Sequence, residues 1–273
     1  MMLVKKESCI GCGICVKDCF PQDIEIIEGK AEIHNVTCMN CGHCIAVCPR
    51  NAVISDKLDM NMVKEYNQEE FSLDADHLLN FIKFRRTVRQ FKAKEVPQDL
   101  ILKIIEAGRF TQTGSNSQNV AYTVVEKELN KLKELTYVSL KDIGETMLRD
   151  PKMAGSPVLR YAGMWVRMLE DYHRDPKKND RLFFNAPTVI VISAASVVDA
   201  TLAASNMELM TNALGLGTFF SGFFVRAAQN NPELQQLLEI KEGHQISLCM
   251  IIGYPAVTYY RTVPRKEADI SWK

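Results

Sequence analysis

The apolar positions of this chain change rhythm along its length, and each rhythm predicts a different kind of element. Up to residue 55 they fall singly or in pairs between cysteines and prolines, so Ile10, Ile24, Ile26, Ile33, Ile45, Val53 and Ile54 make only a small core. Residues 57–76 are mixed and polar, which predicts a connector. From His77 a helical period sets in, with Leu78, Leu79 and Ile82 on one face, and Pro97-Gln98-Asp99-Leu100 opens a second helix carrying Ile101, Ile104 and Ile105. Strand-sized apolar runs follow at 120–125, 187–193 and 246–252, with an amphipathic helix at 198–214 and a short helix near 233–239. The stretch 140–182, with Tyr161, Trp165, Tyr172 and His173, reads either as a lid or substrate wall or as packed structure. Helices alternating with a few short strands predict an α+β body.

No apolar run reaches the roughly 18 residues of a membrane span. The chain has 273 residues, 33 basic against 33 acidic, and 47% hydrophobic residues, which fits a small module joined to one larger core. Neutral net charge argues against a nucleic-acid partner. The first cysteine arrives at position nine, without an apolar leader before it, so the expected location is cytoplasmic.

Eight of the nine cysteines lie before residue 49, in two blocks offset by 29 residues: Cys9, Cys12, Cys15, Cys19 and Cys38, Cys41, Cys44, Cys48. Such a repeat predicts two similar half-units around a pseudo-two-fold axis. Disulfides and structural zinc are the alternatives, but a third evenly spaced cysteine suits neither well. The spacing resembles the cluster-binding run of bacterial ferredoxins, in which the fourth cysteine of each block serves the other block's cluster. That resemblance implies two [4Fe-4S] clusters, one on Cys9, Cys12, Cys15 and Cys48 and one on Cys38, Cys41, Cys44 and Cys19. Phe20 separates Cys19 from Pro21, a departure from the Cys-Pro step kept at Cys48-Pro49. His43 lies between two ligands, but four thiolates already complete each set. Cys249, within an apolar run, reads as a small buried hydrophobe.

The body lacks the glycine fingerprint of a dinucleotide-binding turn. Its motifs are Arg85-Arg86-Thr87-Val88-Arg89-Gln90-Phe91, Asn116-Ser117-Gln118-Asn119, the turn Gly215-Leu216-Gly217 leading to Phe220-Ser221-Gly222, and Gly253-Tyr254-Pro255 followed by Arg265-Lys266. In this order they resemble the nitroreductase family of FMN-binding oxidoreductases, with Asn119 standing where the family usually has proline. The resemblance implies a nitroreductase-like α+β fold with a mixed sheet. It divides the chain into a two-cluster ferredoxin domain over 1–56, a connector over 57–76 and an FMN-binding domain over 77–273. It also implies FMN held by Arg85, Arg86, Thr87 and Arg89 at the phosphate and ribityl chain, by Ser115, Asn116 and Gln118, by Phe220, Ser221 and Gly222 near the ring, and by Arg265 and Lys266 returning to the phosphate. Flavin N5 is then the reactive centre and no protein side chain is assigned as catalytic. A homodimer packed through the helix at 198–214 is implied as well. So is an external electron donor, a reduced ferredoxin-like carrier or NAD(P)H, and a small acceptor such as a nitroaromatic or quinone. A non-enzymatic electron relay and a flavin-modifying or dehalogenating enzyme on the same scaffold remain as alternatives.

Overall fold

The computed structural model describes all of residues 1–273. By its contacts the chain separates into two units, Met1–Asp74 with Thr113–Ser117, and Ala75–Gln112 with Gln118–Lys273. The polar stretch 57–74 therefore groups with the cysteine-rich head, as do five residues from later in the chain.

In the head, β1 (Met2–Val4) pairs antiparallel with β4 (Val53–Ser55), and β2 (Ile24–Ile27) with β3 (Lys30–Ile33). The β2–β3 turn is the pair Glu28-Gly29, both at positive φ (49° and 75°), the backbone a two-residue hairpin needs. Two short helices, α1 (Ile14–Asp18) and α2 (His43–Ala46), each begin after a glycine held left-handed, Gly13 at φ 74° and Gly42 at φ 76°. A last short helix, α3 (Gln68–Phe71), is capped by the Asn67 side chain, which accepts from Glu69 N–H. The buried core consists of Met2, Ile24, Ala31, Ala52 and Val53 together with Cys9, Cys15 and Cys44, so thiols make up a good part of it.

In the body, α4 (Ala75–Phe84) and α5 (Gln98–Arg109) precede β5 (Ala121–Val125). Next come α6 (Leu129–Arg149), α7 (Leu159–Arg174), α8 (Pro176–Asn179), β6 (Thr188–Ala194) and α9 (Val197–Ala213). The chain then forms β7 (Gly217–Phe220), α10 (Gly222–Ala228), α11 (Pro232–Leu237) and β8 (Gln245–Gly253). The sheet order is β5-β6-β8-β7, all antiparallel, and an isolated parallel bridge from Thr87 to Thr218 adds the mixed component.

Every residue of β6 is buried, because the sheet is covered on both sides. Alternation along the strands divides the core in two. Val189, Val191, Cys249 and Ile251 face α6, α7, α10 and α11, whereas Ile190, Ile192, Met250 and Ile252 face α5 and α9. Helix α9 can approach closely because Ala200, Ala203 and Ala204 present almost no side-chain bulk there. Its small residues thus pack on the chain's own sheet; the residues it leaves exposed include Val197, Val198 and Leu202. The stretch 140–182 is mostly helix, with Trp165 and Tyr172 buried in the core rather than on a lid. Between α6 and the segment that follows α8, Lys133 Nζ lies 2.6 Å from buried Asp180, which also accepts from Tyr137 Oη and the Phe183 and Asn185 N–H groups. Burial, reinforced by the Asp180 charge, pushes the Tyr137 phenol far up.

The arginine-rich segment is stitched along the sheet edge. Val88 N–H donates to Thr218 O (3.0 Å), Lys92 N–H to Tyr254 O and Ala256 N–H to Gln90 O. Two glycines opposite each other in the register, Gly217 and Gly253, make room for this crossing. A Cβ on Gly217 would meet Val88 Cγ2 at 2.5 Å, and one on Gly253 would meet Phe91 and Pro187 at 2.9 Å. Gly217→Ala should therefore destabilise the body by about 1–3 kcal/mol, and Val88→Ala in the same chain should recover part of that loss. Urea unfolding followed by far-UV circular dichroism measures both; additive losses would exclude the contact as the cause.

Candidate functional site

The head presents two cavities. One is lined by Cys9, Cys12, Cys15 and Cys48 and the other by Cys19, Cys38, Cys41 and Cys44. Each block thus lends its fourth cysteine to the opposite cavity. No three His, Cys, Asp or Glu side chains come close enough to share a single ion. Four sulfurs around a void suit a multi-atom iron–sulfur group better than one zinc. Backbone N–H groups already point at the sulfurs, from Ala31 to Cys9 (3.3 Å), Asn40 to Cys38 (3.4 Å) and Ala52 to Cys48 (3.3 Å).

The electrostatics of the bare thiols oppose gathering them as thiolates. Burial, helped by the neighbouring Cys38 and Cys41, pushes the Cys44 thiol up to about 11, and burial likewise raises Cys15. Cys9 is lowered, chiefly by the Ala31 N–H. Cationic iron is the natural counter-charge for such a set. His43 lines the second cavity but places Nδ1 3.0 Å from the Asp18 carboxylate. Cys249 is fully buried in the sheet, with its thiol pushed far up by burial.

In the body, a cavity of about 410 Å³ is lined by Ile82, Lys83, Arg85, Arg86, Thr262, Val263 and Arg265. Four cations therefore converge on it. Arg85 is already engaged, its Nη1 lying 2.7 Å from Glu208 Oε1. Burial raises the Glu208 carboxyl, an effect that outweighs the attraction of Arg85. Arg86 differs: Nη1 donates to Lys83 O, but Nε and Nη2 are buried without a partner. An unpartnered buried guanidinium edge fits a planar or phosphate anion with two oxygens to offer. The donor set of this cavity therefore fits the phosphate of a bound cofactor.

The remaining residues singled out from the sequence do not line this cavity. Thr87 is half-buried and its carbonyl accepts from Tyr259 Oη; Arg89 lies over the Phe219 ring at 4.9 Å. Lys266 is exposed and does not line the arginine cavity. Phe220 ends β7. Ser221 is buried and uses its hydroxyl to accept from Phe224 N–H at the start of α10, which Gly222 opens. Ser115, Asn116 and Gln118 all have positive φ (50°, 54° and 48°), a concentration of strained backbone in one loop. Asn116 Nδ2 donates to the carbonyls of Met39 (3.2 Å) and Asn40 (3.0 Å), so its amide belongs to the head's second cysteine loop. Lys83 opens the basic run that continues through Arg85, Arg86 and Arg89, whereas Thr262 and Val263 belong to no motif. The place of all three in the cavity follows from the helix-end position of Lys83 and from the path of the irregular tail.

Residues 8–52 match the 4Fe-4S dicluster domain and residues 82–254 the nitroreductase family. Among curated relatives, an NADPH-dependent oxidoreductase of Staphylococcus aureus is 24% identical over 189 residues, covering 67% of this chain. The chain spans 66% of the length of that relative. Among solved structures, a nitroreductase with bound FMN from Bacteroides fragilis superposes with a TM-score of 0.54 at 22% identity, covering 71% of this chain and 98% of that one. A BluB-like flavoprotein from Clostridium difficile gives 0.54 at 19% identity, covering 70% and 94%. At these identities the superpositions establish the fold. With a family match over well more than half of its length, the chain belongs to the nitroreductase family and carries a 4Fe-4S dicluster domain ahead of it.

Proposed function

We propose that this protein is an iron–sulfur flavoprotein oxidoreductase: electrons from an external donor, a reduced ferredoxin-like carrier or NAD(P)H, reach a small acceptor such as a nitroaromatic or quinone by way of two [4Fe-4S] clusters and FMN. The observation that carries this reading is the division of eight thiols into two four-cysteine cavities within a chain whose larger part is a nitroreductase body. When bound, the clusters exchange single electrons and the flavin one or two, with N5 as its reactive atom.

The chain's own residues supply binding and electrostatics. Cys9, Cys12, Cys15 and Cys48 would hold one cluster and Cys19, Cys38, Cys41 and Cys44 the other. Arg86 would fork onto the FMN phosphate, with Lys83 and Arg265 adding charge and Arg85 partly neutralised by Glu208. Thr87, Arg89, Ser115, Asn116, Gln118, Phe220, Ser221, Gly222 and Lys266 complete the proposed flavin-site set. Exposed apolar side chains on α4 (Leu78, Leu79, Ile82) and on α9 (Val197, Val198) support a homodimer. No helix is long and apolar enough to cross a membrane, and a cytoplasmic setting suits thiols kept free for iron.

Anaerobically purified and reconstituted protein should contain about eight iron atoms and about one FMN per chain. Zinc or disulfides in their place would end the proposal. Acceptor reduction should be faster with reduced ferredoxin than with NADH or NADPH across a panel of nitroaromatics and quinones. Equal turnover by a variant with Cys12→Ser and Cys41→Ser would show that the clusters are not the entry port, and failure of every acceptor would favour a relay. Arg86→Gln should weaken FMN binding about ten- to a hundredfold, as expected for a lost charge-assisted pair, measured by flavin fluorescence on dilution. An unchanged dissociation constant would remove Arg86 from the phosphate site.

A further inference from the structure

The 29-residue repeat allows each position around one cysteine cavity to be compared with its counterpart around the other. Most counterparts are alike: the cysteines align, Gly13 matches Gly42 and Ile24 matches Val53. One buried pair is chemically opposite. Asp23 falls on Ala52, and each lines the cavity that receives the fourth cysteine of its own block, Asp23 beside Cys19 and Ala52 beside Cys48. Both are almost fully buried, at 5% and 1% exposure.

Asp23 is held rigidly. Its Oδ1 accepts from Val36 N–H (3.1 Å), Thr37 N–H (3.1 Å) and Thr37 Oγ1 (3.2 Å). Its Oδ2 is buried with no hydrogen-bond partner. Burial opposes ionisation, yet those donors keep the carboxyl below the usual carboxylate range. A buried negative charge, half of it uncompensated, therefore sits beside Cys19, Cys38, Cys41 and Cys44.

The other cavity has the reverse surroundings. Arg50 lines it, Lys30 Nζ donates to Cys9 O, and Lys6 Nζ donates at 2.9 Å to the carbonyl of Ala31, the residue whose N–H donates to Cys9 Sγ. Lys6 shares its charge with Glu32 at 3.4 Å, so Lys30 and Arg50 are the principal cations there. On the Asp23 side, His43 is solvent-exposed and faces Asp18, which leaves it no comparable offset.

Reduction adds an electron to a group already surrounded by thiolates, so a nearby buried carboxylate disfavours it and nearby cations favour it. We propose that Asp23 sets the two cluster sites apart: the site of Cys19, Cys38, Cys41 and Cys44 accepts its electron at the lower potential, and the site of Cys9, Cys12, Cys15 and Cys48 fills first. The inference rests on the two-cluster function proposed above. Each site gains one electron, supplied by a one-electron reductant that is oxidised in turn.

The test is an anaerobic dithionite titration of the reconstituted full-length protein, followed by electron paramagnetic resonance, after its iron and sulfide have been counted. The wild-type chain should reduce in two separated waves. Asp23→Asn, which keeps an oxygen for the Val36 and Thr37 donors, should raise the reduced-to-oxidised ratio of the lower wave about tenfold at a fixed potential and leave the upper wave in place, the effect of one partly screened charge. Arg50→Gln, at an exposed position, should move only the upper wave, downward. A loaded Asp23→Asn protein whose lower wave stays where it was would overturn the inference. If Asp23→Asn does not load, Arg50→Gln decides: movement of the lower wave, or of neither, overturns it. A wild-type chain that holds no clusters would fail the two-cluster function itself, so the two failures are distinguishable.

Discussion

Like charges brought together in a small volume are the constraint on which the head depends. Four ionised thiols around each cavity repel one another, and burial of Cys15 and Cys44 makes ionisation harder still. The apolar residues around them, Met2, Ile24, Ala31, Ala52 and Val53, bury too little surface to overcome that repulsion alone. Iron that neutralises the sulfurs would also close the fold, and ligand binding and folding would then be one event. The local architecture serves that event. Left-handed glycines turn the chain into α1 and α2 at the cysteines, and the Ala31, Asn40 and Ala52 amides face sulfur.

The body solves the opposite problem, that of holding positive charge. Its sheet is covered on both faces, which makes it rigid enough to carry the Arg85–Phe91 segment along its edge by backbone hydrogen bonds and paired glycines. Neutralising Arg85 with Glu208 leaves Arg86 as the arginine with buried, unanswered donors. One fixed guanidinium edge gives more orientation to an anion than several mobile ones, because its fork admits few geometries. In the proposed phosphate site charge and direction would thus be separated, Lys83 and Arg265 contributing the first and Arg86 the second.

Much of this was legible from the sequence where the signal is local. Cysteine spacing is legible because each CxxCxxC loop gathers its thiols locally, and the continuous apolar runs of β6 and β8 read as strands from their length alone. The α6–α7 pair was harder to see because Lys133, Thr136 and Ser139 are buried polar residues that interrupt the helical period of apolar positions. Strand β7 was hidden in what reads as a glycine turn, since Gly217 is needed for a close crossing and not for a bend. Neither the Glu208 partner of Arg85, 123 residues away, nor the Asn116 bonds to Met39 and Asn40, 77 and 76 residues away, leaves any trace in local pattern. Asp23 looks like an ordinary turn residue after Pro21 until the repeat sets it against Ala52.

The exchange of fourth cysteines between the two blocks also governs how the head would fail. An oxidant that takes Cys19 or Cys48 attacks the block that carries it and the cavity of the other block in one blow. Injury cannot be confined to one half, so exposure to air would inactivate such a module abruptly and leave few half-working molecules behind.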